Sequence, residues 1–117
     1  MRKKPREKPP RTRWTKGRLE DLIHRATVDA QDDEEQQMGF YTAIEENVKF
    51  PFKAVLSGKE VVVQGIEVGQ EDEIVAVCVE VRSRERHTAP LLGLPLPKPP
   101  PKGAEWIEAY RLWLAES

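Results

Sequence analysis

The sequence predicts an α+β domain, in which a small antiparallel sheet packs against helices from both ends of the chain. Three observations predict this class: helical periodicity before residue 50, alternating apolar residues between residues 52 and 89, and helical periodicity again after residue 104. Four or five short strands at this spacing form either a strongly bent antiparallel sheet or an SH3-like barrel, and the barrel is the preferred form. The helices then cover one face or one open end of the sheet.

The first 18 residues differ sharply in charge from the rest of the chain. They carry nine Lys or Arg and one acid, whereas the remaining residues carry ten Lys or Arg and nineteen acids. A segment with three prolines and one large hydrophobe, Trp14, buries too little apolar area to offset its ordering entropy. We therefore predict a disordered basic arm over residues 1–18 and a single domain over residues 19–117. Trp14 is expected to dock as a hydrophobic anchor.

Two helices are predicted before the sheet. Apolar residues recur at helical spacing over residues 19–26, and a second, longer helix follows Asp29. Pro51 disfavours helical geometry at the residue before it, so the second helix must end near Val48. The apolar stripe of this helix is predicted to contain Met38, Tyr41, Ile44 and Val48.

Strands are predicted over residues 52–56, 60–68 and 72–81, with a fourth, short strand over residues 86–89. These segments are rich in β-branched residues, and glycine-containing turns separate the first three. The third strand carries apolar residues on both faces. It should therefore lie in the centre of the sheet.

The C-terminal part of the chain begins with a proline-rich segment. Residues 93–103 contain five prolines, which predicts a stiff, polyproline-like connector that returns the chain to its own core. A last helix from about Ala104 to Leu114 follows. It places Trp106, Tyr110 and Trp113 at positions i, i+4 and i+7, a spacing typical of a buried aromatic stripe.

Several functional classes are excluded by what the sequence lacks. It has no glycine-rich phosphate loop, no nucleophile–base–acid set and no paired histidine motif, so we predict that it is not an enzyme. Cys78 is the only cysteine, and with two histidines it cannot complete a structural zinc site of four N or S ligands. The single cysteine, the missing secretory signal and the absence of an apolar span predict a cytoplasmic protein without membrane contact.

Two long segments are acidic and contain no Lys or Arg. Seven carboxylates lie between Asp29 and Val48, and six lie between Glu60 and Val81. Hard divalent cations, Ca²⁺ above all, bind about six to eight oxygen ligands, which one face of one helix cannot supply. The two segments must therefore converge, for example with an acidic turn at residues 71–73 beside a helix end. Acids at residues 32–35 have a second explanation, since acidic residues are favoured in any first helical turn.

The stretch from Asp29 through Ala54 contains an acidic helix with a Met-Gly-aromatic-aromatic centre at residues 38–41, the acid pair Glu45-Glu46, and the Phe-Pro-Phe sequence at residues 50–52. In these features it resembles the signature stretch of the CcbP-like small calcium-binding proteins. A valine-rich strand, an acidic turn, a Pro-Leu pair and an aromatic C-terminal helix follow in order, so the resemblance covers roughly residues 25–114. The chain departs from the family pattern in its basic arm, in its proline-rich connector, and in the C-terminal helix, where Ala109 replaces an acid.

The resemblance implies a Ca²⁺ buffer or sensor that uses clustered carboxylates. No EF-hand loop is found. The alternative, from another class, is an SH3-like binding module whose basic arm contacts nucleic acid or an acidic protein partner. The metal ligands that the resemblance implies are Asp29, Glu35, Glu45 and Glu46, together with Glu71, Asp72 and Glu73 on the acidic turn.

Overall fold

Residues 14–116 are described by the structure, a computed structural model, and they form three α-helices, four strands and one short 3₁₀ helix. Each predicted helix and strand is present, with bounds shifted by a few residues. In chain order the elements are α1 (Lys16–Thr27), α2 (Asp33–Asn47), β1 (Phe52–Leu56), β2 (Lys59–Val68), β3 (Ile74–Glu80), β4 (Arg86–Pro90), the 3₁₀ helix (Leu91–Gly93) and α3 (Glu105–Glu116).

The four strands form one antiparallel sheet in the order β1-β2-β3-β4, so each strand pairs with its neighbour in sequence. Within the described residues β1 and β4 do not pair, and both are edge strands. The expected SH3-like barrel is therefore wrong, and the open-sheet form of the prediction is confirmed. Closure is not needed because the helices cover the apolar face of the sheet and bury it.

The strand β3 is central, as predicted from its two apolar faces. It pairs with β2 on one side and with β4 on the other, and its residues Ile74 to Cys78 are all buried. The hairpin between β1 and β2 closes with Ser57 and Gly58, which both have positive φ, as a type I′ turn requires. The buried thiol of Cys78 has a pKa raised by burial, which fits a small hydrophobic side chain in the core.

The helix α1 begins earlier than predicted. The hydroxyl of Thr15 accepts a hydrogen bond from the backbone N–H of Arg18 and caps the helix, and the half-buried Trp14 packs against the core. Residues 16–18, at the end of the predicted arm, therefore lie within α1. The rest of the predicted arm, residues 1–13, lies outside the described residues.

A glycine sets the distance between α1 and α2. A Cβ atom at Gly39 would lie 2.0 Å from the carbonyl oxygen of Ala26, so only glycine permits this close approach of the two helices. The core face of α2 is formed by Phe40 and Ile44. Met38, which the sequence placed on the apolar stripe, is instead 48% exposed.

The proline-rich connector packs against the domain. Leu94 is buried, and the guanidinium of Arg111 donates hydrogen bonds to the carbonyl oxygens of Leu91 and Leu94. At its end Gly103 has φ +86°, and a Cβ atom there would meet the carbonyl oxygen of Asn47 at 1.9 Å. The connector therefore returns α3 to the C-terminal end of α2.

The helix α3 buries its aromatic stripe against α2 and the sheet. Trp106 and Tyr110 are buried and Trp113 is half-buried, as the spacing predicted. The Tyr110 hydroxyl donates to the amide oxygen of Gln37 and accepts from the N–H of Ile74, so it links α3 to α2 and to the start of β3. Among the helices of residues 14–116, none combines the length and the apolar character needed to cross a membrane.

Candidate metal centre

The turn between β2 and β3 presents three acids on a tightly bonded backbone. The N–H of Gly69 donates to the carbonyl oxygen of Glu73 at 2.7 Å, and the N–H of Asp72 donates to the carbonyl oxygen of Gly69 at 3.1 Å. The carboxylate of Glu73 folds back over Gly69 and accepts the N–H of Glu71 at 2.9 Å. Asp72 has φ +65°, which an aspartate tolerates better than most residues. Glu73 therefore shapes the turn, and the N–H of Asp72 closes it.

The start of α2 is capped by two side-chain hydrogen bonds that resemble a capping box, with the second bond shifted to the residue before the N-cap. The carboxylate of Asp32 accepts the N–H of Glu35 at 2.8 Å, and the carboxylate of Glu35 accepts the N–H of Gln31 at 2.8 Å. The helix-start explanation thus holds for Asp32 and Glu35. Both acids also leave negative charge at the positive end of the helix dipole.

The helix start and the acidic turn meet at one surface depression, which we name the helix–turn depression. Glu34 and Glu35 come from the first turn of α2, and Asp72 comes from the β2–β3 turn. Acids from both cation-free segments therefore meet here, at a hairpin tip beside a helix start. The lining residues are Glu34, Glu35, Gln37, Met38, Val68 and Asp72, and they include no Lys or Arg.

Glu71 and Glu73 line a second depression on the other side of the turn, together with Glu67 and Thr88. Here a cation is already present, because Arg86 of β4 contacts the carboxylate of Glu67 at 2.8 Å. The two sides of the turn consequently differ in charge balance.

Glu45 and Glu46 lie in the last turn of α2 and are exposed. Ten residues separate Glu45 from Glu35, which places them about 15 Å apart along the helix axis. Since Ca–O distances are about 2.3–2.6 Å, one ion cannot bind both. Burial raises the pKa of Tyr41, and the nearby charges of Glu45 and Glu67 raise it further, so these two carboxylates approach the tyrosine from different segments.

The seven implied ligands share one property: within residues 14–116, none of them forms a salt bridge with Lys, Arg or His. Asp29 lies exposed in the connection between α1 and α2. The structure therefore divides the set into acids at the helix–turn depression and its turn, acids at the far end of α2, and Asp29 between the helices.

Another cluster was missed by the sequence reasoning. In the described part of the chain, only Glu80, Glu85 and His87 bring three potential ligand atoms within 4.8 Å of one another. The signal was present, since β3 ends at Glu80 and β4 begins next to His87, so a hairpin aligns them. The carboxylates of the helix–turn depression do not reach that spacing. They would have to move closer to share an ion.

The carboxylate of Glu80 is held by several donors. Its pKa lies below the usual value because the Ser83 hydroxyl and the His87 ring hydrogen-bond to it, with a smaller effect from the charge of Lys59. Its environment is therefore opposite to that of the helix–turn depression, where no cation faces the acids.

Comparison with known proteins now identifies the family. The family model described as calcium binding, Calci_bind_CcbP, matches residues 20–114. The chain belongs to the CcbP family. The resemblance seen in the sequence is thus confirmed, and the match includes both acidic segments, the sheet and most of α3.

Two solved structures are similar to this CcbP-family chain. One is described as "Calcium binding protein in the calcium-binding form", with a TM-score of 0.66 and 24% identity over 85% of this chain and 90% of the other. The second is the crystal structure of Anabaena CcbP, with a TM-score of 0.66 and 22% identity over 87% of this chain and 93% of the other. At these identities the likeness shows a shared fold. No curated protein matches the chain significantly.

Proposed function

We propose that this protein binds Ca²⁺ at the helix–turn depression and acts as a calcium buffer or sensor. The observation that carries the proposal is the meeting of Glu34 and Glu35 with Asp72, from segments far apart in sequence, at a surface lined by no Lys or Arg. Membership of a family described as calcium binding supports it. The protein would thus be a binding protein and not an enzyme.

The donors at the depression suit calcium. Glu34, Glu35 and Asp72 offer carboxylate oxygens only, and water can complete a shell of about six to eight ligands. Mg²⁺ demands a rigid octahedron, which side chains from a helix and a turn do not supply easily, so Ca²⁺ should bind more tightly. Ligand binding here must draw the turn and the helix together, because their carboxylates are not yet clustered.

The other implied ligands receive different roles in this proposal. Glu71 and Glu73 belong to the same turn, where Glu73 holds the backbone and both strengthen the negative field. Asp29 adds to that field from the connection between the helices. Glu45 and Glu46 would hold a separate calcium ion, since they are too far from Glu35 to share one.

The test is a calorimetric and thermal titration of the full chain with Ca²⁺ and then Mg²⁺. A ligand that binds only the folded state stabilises it by about 2.7 kcal/mol at a hundredfold excess over its dissociation constant, so Ca²⁺ should raise the melting temperature. Asp72→Asn keeps the shape and tolerates positive φ, yet removes a charged ligand. It should weaken Ca²⁺ binding at least about tenfold, a loss of roughly 1.4 kcal/mol.

Glu60→Gln is the matched control for Asp72→Asn. It removes one charge from an exposed residue at the opposite end of β2 from the turn. Its effect on Ca²⁺ binding should be small and should fade in salt, because distant exposed charges are screened. Equal losses in the two variants, or no thermal shift at millimolar Ca²⁺, would contradict the proposed site.

The basic arm supports a second candidate function. We propose that its Lys and Arg residues contact nucleic acid or an acidic protein partner, as nine cations in 18 residues favour. Deleting residues 1–13 leaves α1 and its cap intact. Polyanion binding that falls steeply with salt and disappears with this deletion would support the arm's role, whereas Ca²⁺ binding should survive. A cytoplasmic location stays a prediction.

A further inference from the structure

The loop between β3 and β4 places two carboxylates opposite each other. Cys78 pairs with His87 in the ladder, and continuing this register brings Glu80 opposite Glu85. The N–H of Glu80 donates to the carbonyl oxygen of Glu85 at 2.9 Å, which fixes this pair. Like charges directly across a ladder repel, so the arrangement favours a positive group between them.

The spacing of the three donor atoms fits a small metal ion. The Nε2 atom of His87 lies 2.8 Å from Oε2 of Glu80 and 3.7 Å from Oε1 of Glu85. Two ligands of one tetrahedral zinc ion, each at about 2.0–2.2 Å, lie about 3.3 Å apart. The observed separations lie on either side of this value, so small side-chain rotations would close the site.

The Glu80 carboxylate is already oriented by a neighbour, which also bonds the backbone of Glu85. The Ser83 hydroxyl donates to Oε1 of Glu80 at 3.0 Å, which leaves Oε2 to face the histidine. The same hydroxyl oxygen accepts the N–H of Glu85 at 3.1 Å. The side chain of Glu80 is only 13% exposed. Such outer hydrogen bonds are what hold metal ligands in place in known sites.

We propose that Glu80, Glu85 and His87 form a second metal site, which takes a divalent transition-metal ion of the Zn²⁺ type. A mixed set of imidazole and carboxylate donors suits such ions, whereas Ca²⁺ prefers oxygen donors alone. Water supplies the remaining position. The site lies at the opposite end of β3 from the acidic turn and does not depend on the calcium proposal.

Lys59 competes with the metal for this site. Its ammonium lies 3.7 Å from Oε2 of Glu80, the oxygen that would bind the ion. The ammonium must move away as the ion enters, and its charge opposes that entry. Replacing it with a neutral residue should therefore strengthen metal binding, which a purely structural salt-bridge network would not do.

The experiment is a Zn²⁺ titration of the full chain by calorimetry, in saturating Ca²⁺. We expect one Zn²⁺ to bind, and His87→Gln to weaken binding at least about tenfold, as the loss of one ligand requires. His24→Gln is the matched control, because His24 is the other histidine of the chain and lies exposed on α1. It should leave the affinity unchanged. Lys59→Gln should bind Zn²⁺ about fivefold more tightly.

Circular dichroism of each variant shows whether it has folded, and Asp72→Asn separates the two metal proposals. That variant should lose Ca²⁺ affinity and keep Zn²⁺ affinity. The zinc proposal is overturned if Zn²⁺ does not bind, if both histidine variants lose affinity equally, if Lys59→Gln binds no better, or if Ca²⁺ displaces the bound Zn²⁺.

Discussion

The two ends of β3 carry similar acids in opposite electrostatic settings. At its start, the turn residue Asp72 lines a depression that, within the described residues, contains no Lys or Arg. At its end, about 20 Å away, Glu80 contacts Lys59 and His87. At one end, the carboxylates that line the depression face no cation there. At the other, a carboxylate is paired with an ammonium and with a histidine ring, which supplies a nitrogen donor. The two ends of the same strand thus differ chemically, as do the calcium and zinc sites proposed there.

The difference comes from neighbouring strands and not from the local sequence. Glu67 and Glu80 belong to a segment without Lys or Arg, yet Arg86 of β4 and Lys59 of β2 reach them across the sheet. Asp72 lies on a turn that extends beyond the ends of β2 and β3, where no such neighbour strand carries a cation. Glu67 and Glu80 therefore meet cations that their own segment lacks, whereas, within residues 14–116, Asp72 on the turn does not.

The largest expected effect comes from displacing α2, which carries the helix side of the helix–turn depression. Gly39→Ala would place a Cβ atom 2.0 Å from the backbone oxygen of Ala26, so α1 and α2 must separate. We expect a loss of about 3 kcal/mol in the free energy of unfolding, measured by denaturant titration. Ca²⁺ affinity should fall as well because α2 shifts, whereas Zn²⁺ affinity at the far end of β3 should stay the same.

Gly17→Ala is the control for Gly39→Ala. Gly17 is also helical, but nothing lies within 4 Å of the position its Cβ would take. Alanine there should stabilise the protein by about 0.5–1 kcal/mol, the ordinary gain in a helix. A similar gain at Gly39 would show that the helices do not pack as closely as described.

A smaller effect is expected from the far end of α2. Replacing both acids there (Glu45→Gln with Glu46→Gln) should stabilise the metal-free protein by about 0.3–1 kcal/mol, because acids at a helix C-terminus oppose the dipole. It should also remove one bound Ca²⁺ from the calorimetric stoichiometry, with the affinity at the helix–turn depression nearly unchanged.

The start of the same helix supplies the control pair. Asp32→Asn with Asp33→Asn removes two charges and retains a good N-cap residue. This pair should destabilise the metal-free protein slightly, since acids at a helix start are favourable. Two results would show that Glu45 and Glu46 do not form a separate Ca²⁺ site. One is a change in stability in the same direction for both double variants, and the other is a lower Ca²⁺ affinity at unchanged stoichiometry when Glu45 and Glu46 are replaced.

The sequence was sufficient for most of the fold because the apolar periods are strong and the turns carry glycine or proline. It named both an open sheet and a barrel and wrongly preferred the barrel, since closure depends on whether β1 and β4 meet, which no local pattern encodes. It placed Met38 in the core because spacing does not show that Gly39 lies against the backbone of α1 while Met38 is exposed.

The proposed metal sites were less predictable than the fold. The acid-rich segments were visible, but the place of Glu34 in the depression became evident only from the structure. The Glu80, Glu85 and His87 cluster required the ladder register of β3 and β4, which a residue count cannot provide. Carboxylate chemistry is thus readable from composition, whereas the grouping of ligands depends on three-dimensional contacts.

The smallest expected effect concerns Tyr41, whose hydroxyl donates to the carbonyl oxygen of Ile66 at 3.1 Å. Its pKa is raised above the usual 10.0, by burial first and then by Glu45 and Glu67. The neutral phenol is thus favoured in the folded state. The stability that the neutral Tyr41 phenol contributes is fully present below pH 10. It is lost as the pH rises above 10 and through the pKa of the folded state.

The pKa of the same tyrosine distinguishes an acid that is paired with a cation from one that is not. Glu67 is paired with Arg86, whereas Glu45 faces no cation within the described residues, so Glu45→Gln should lower the pKa of Tyr41 more than Glu67→Gln does. The shift is small because burial is the larger cause. Absorbance titration of the phenolate measures it, and Tyr41→Phe separates this signal from that of Tyr110, whose pKa is also raised.

Glu46→Gln is the control, since its side chain points about 100° away on the helix. If the titration midpoint of Tyr41 is unchanged in Glu45→Gln, the Glu45 carboxylate does not lie near the tyrosine. The expected difference between the effects of Glu45 and Glu67 on the pKa of Tyr41 would then be wrong.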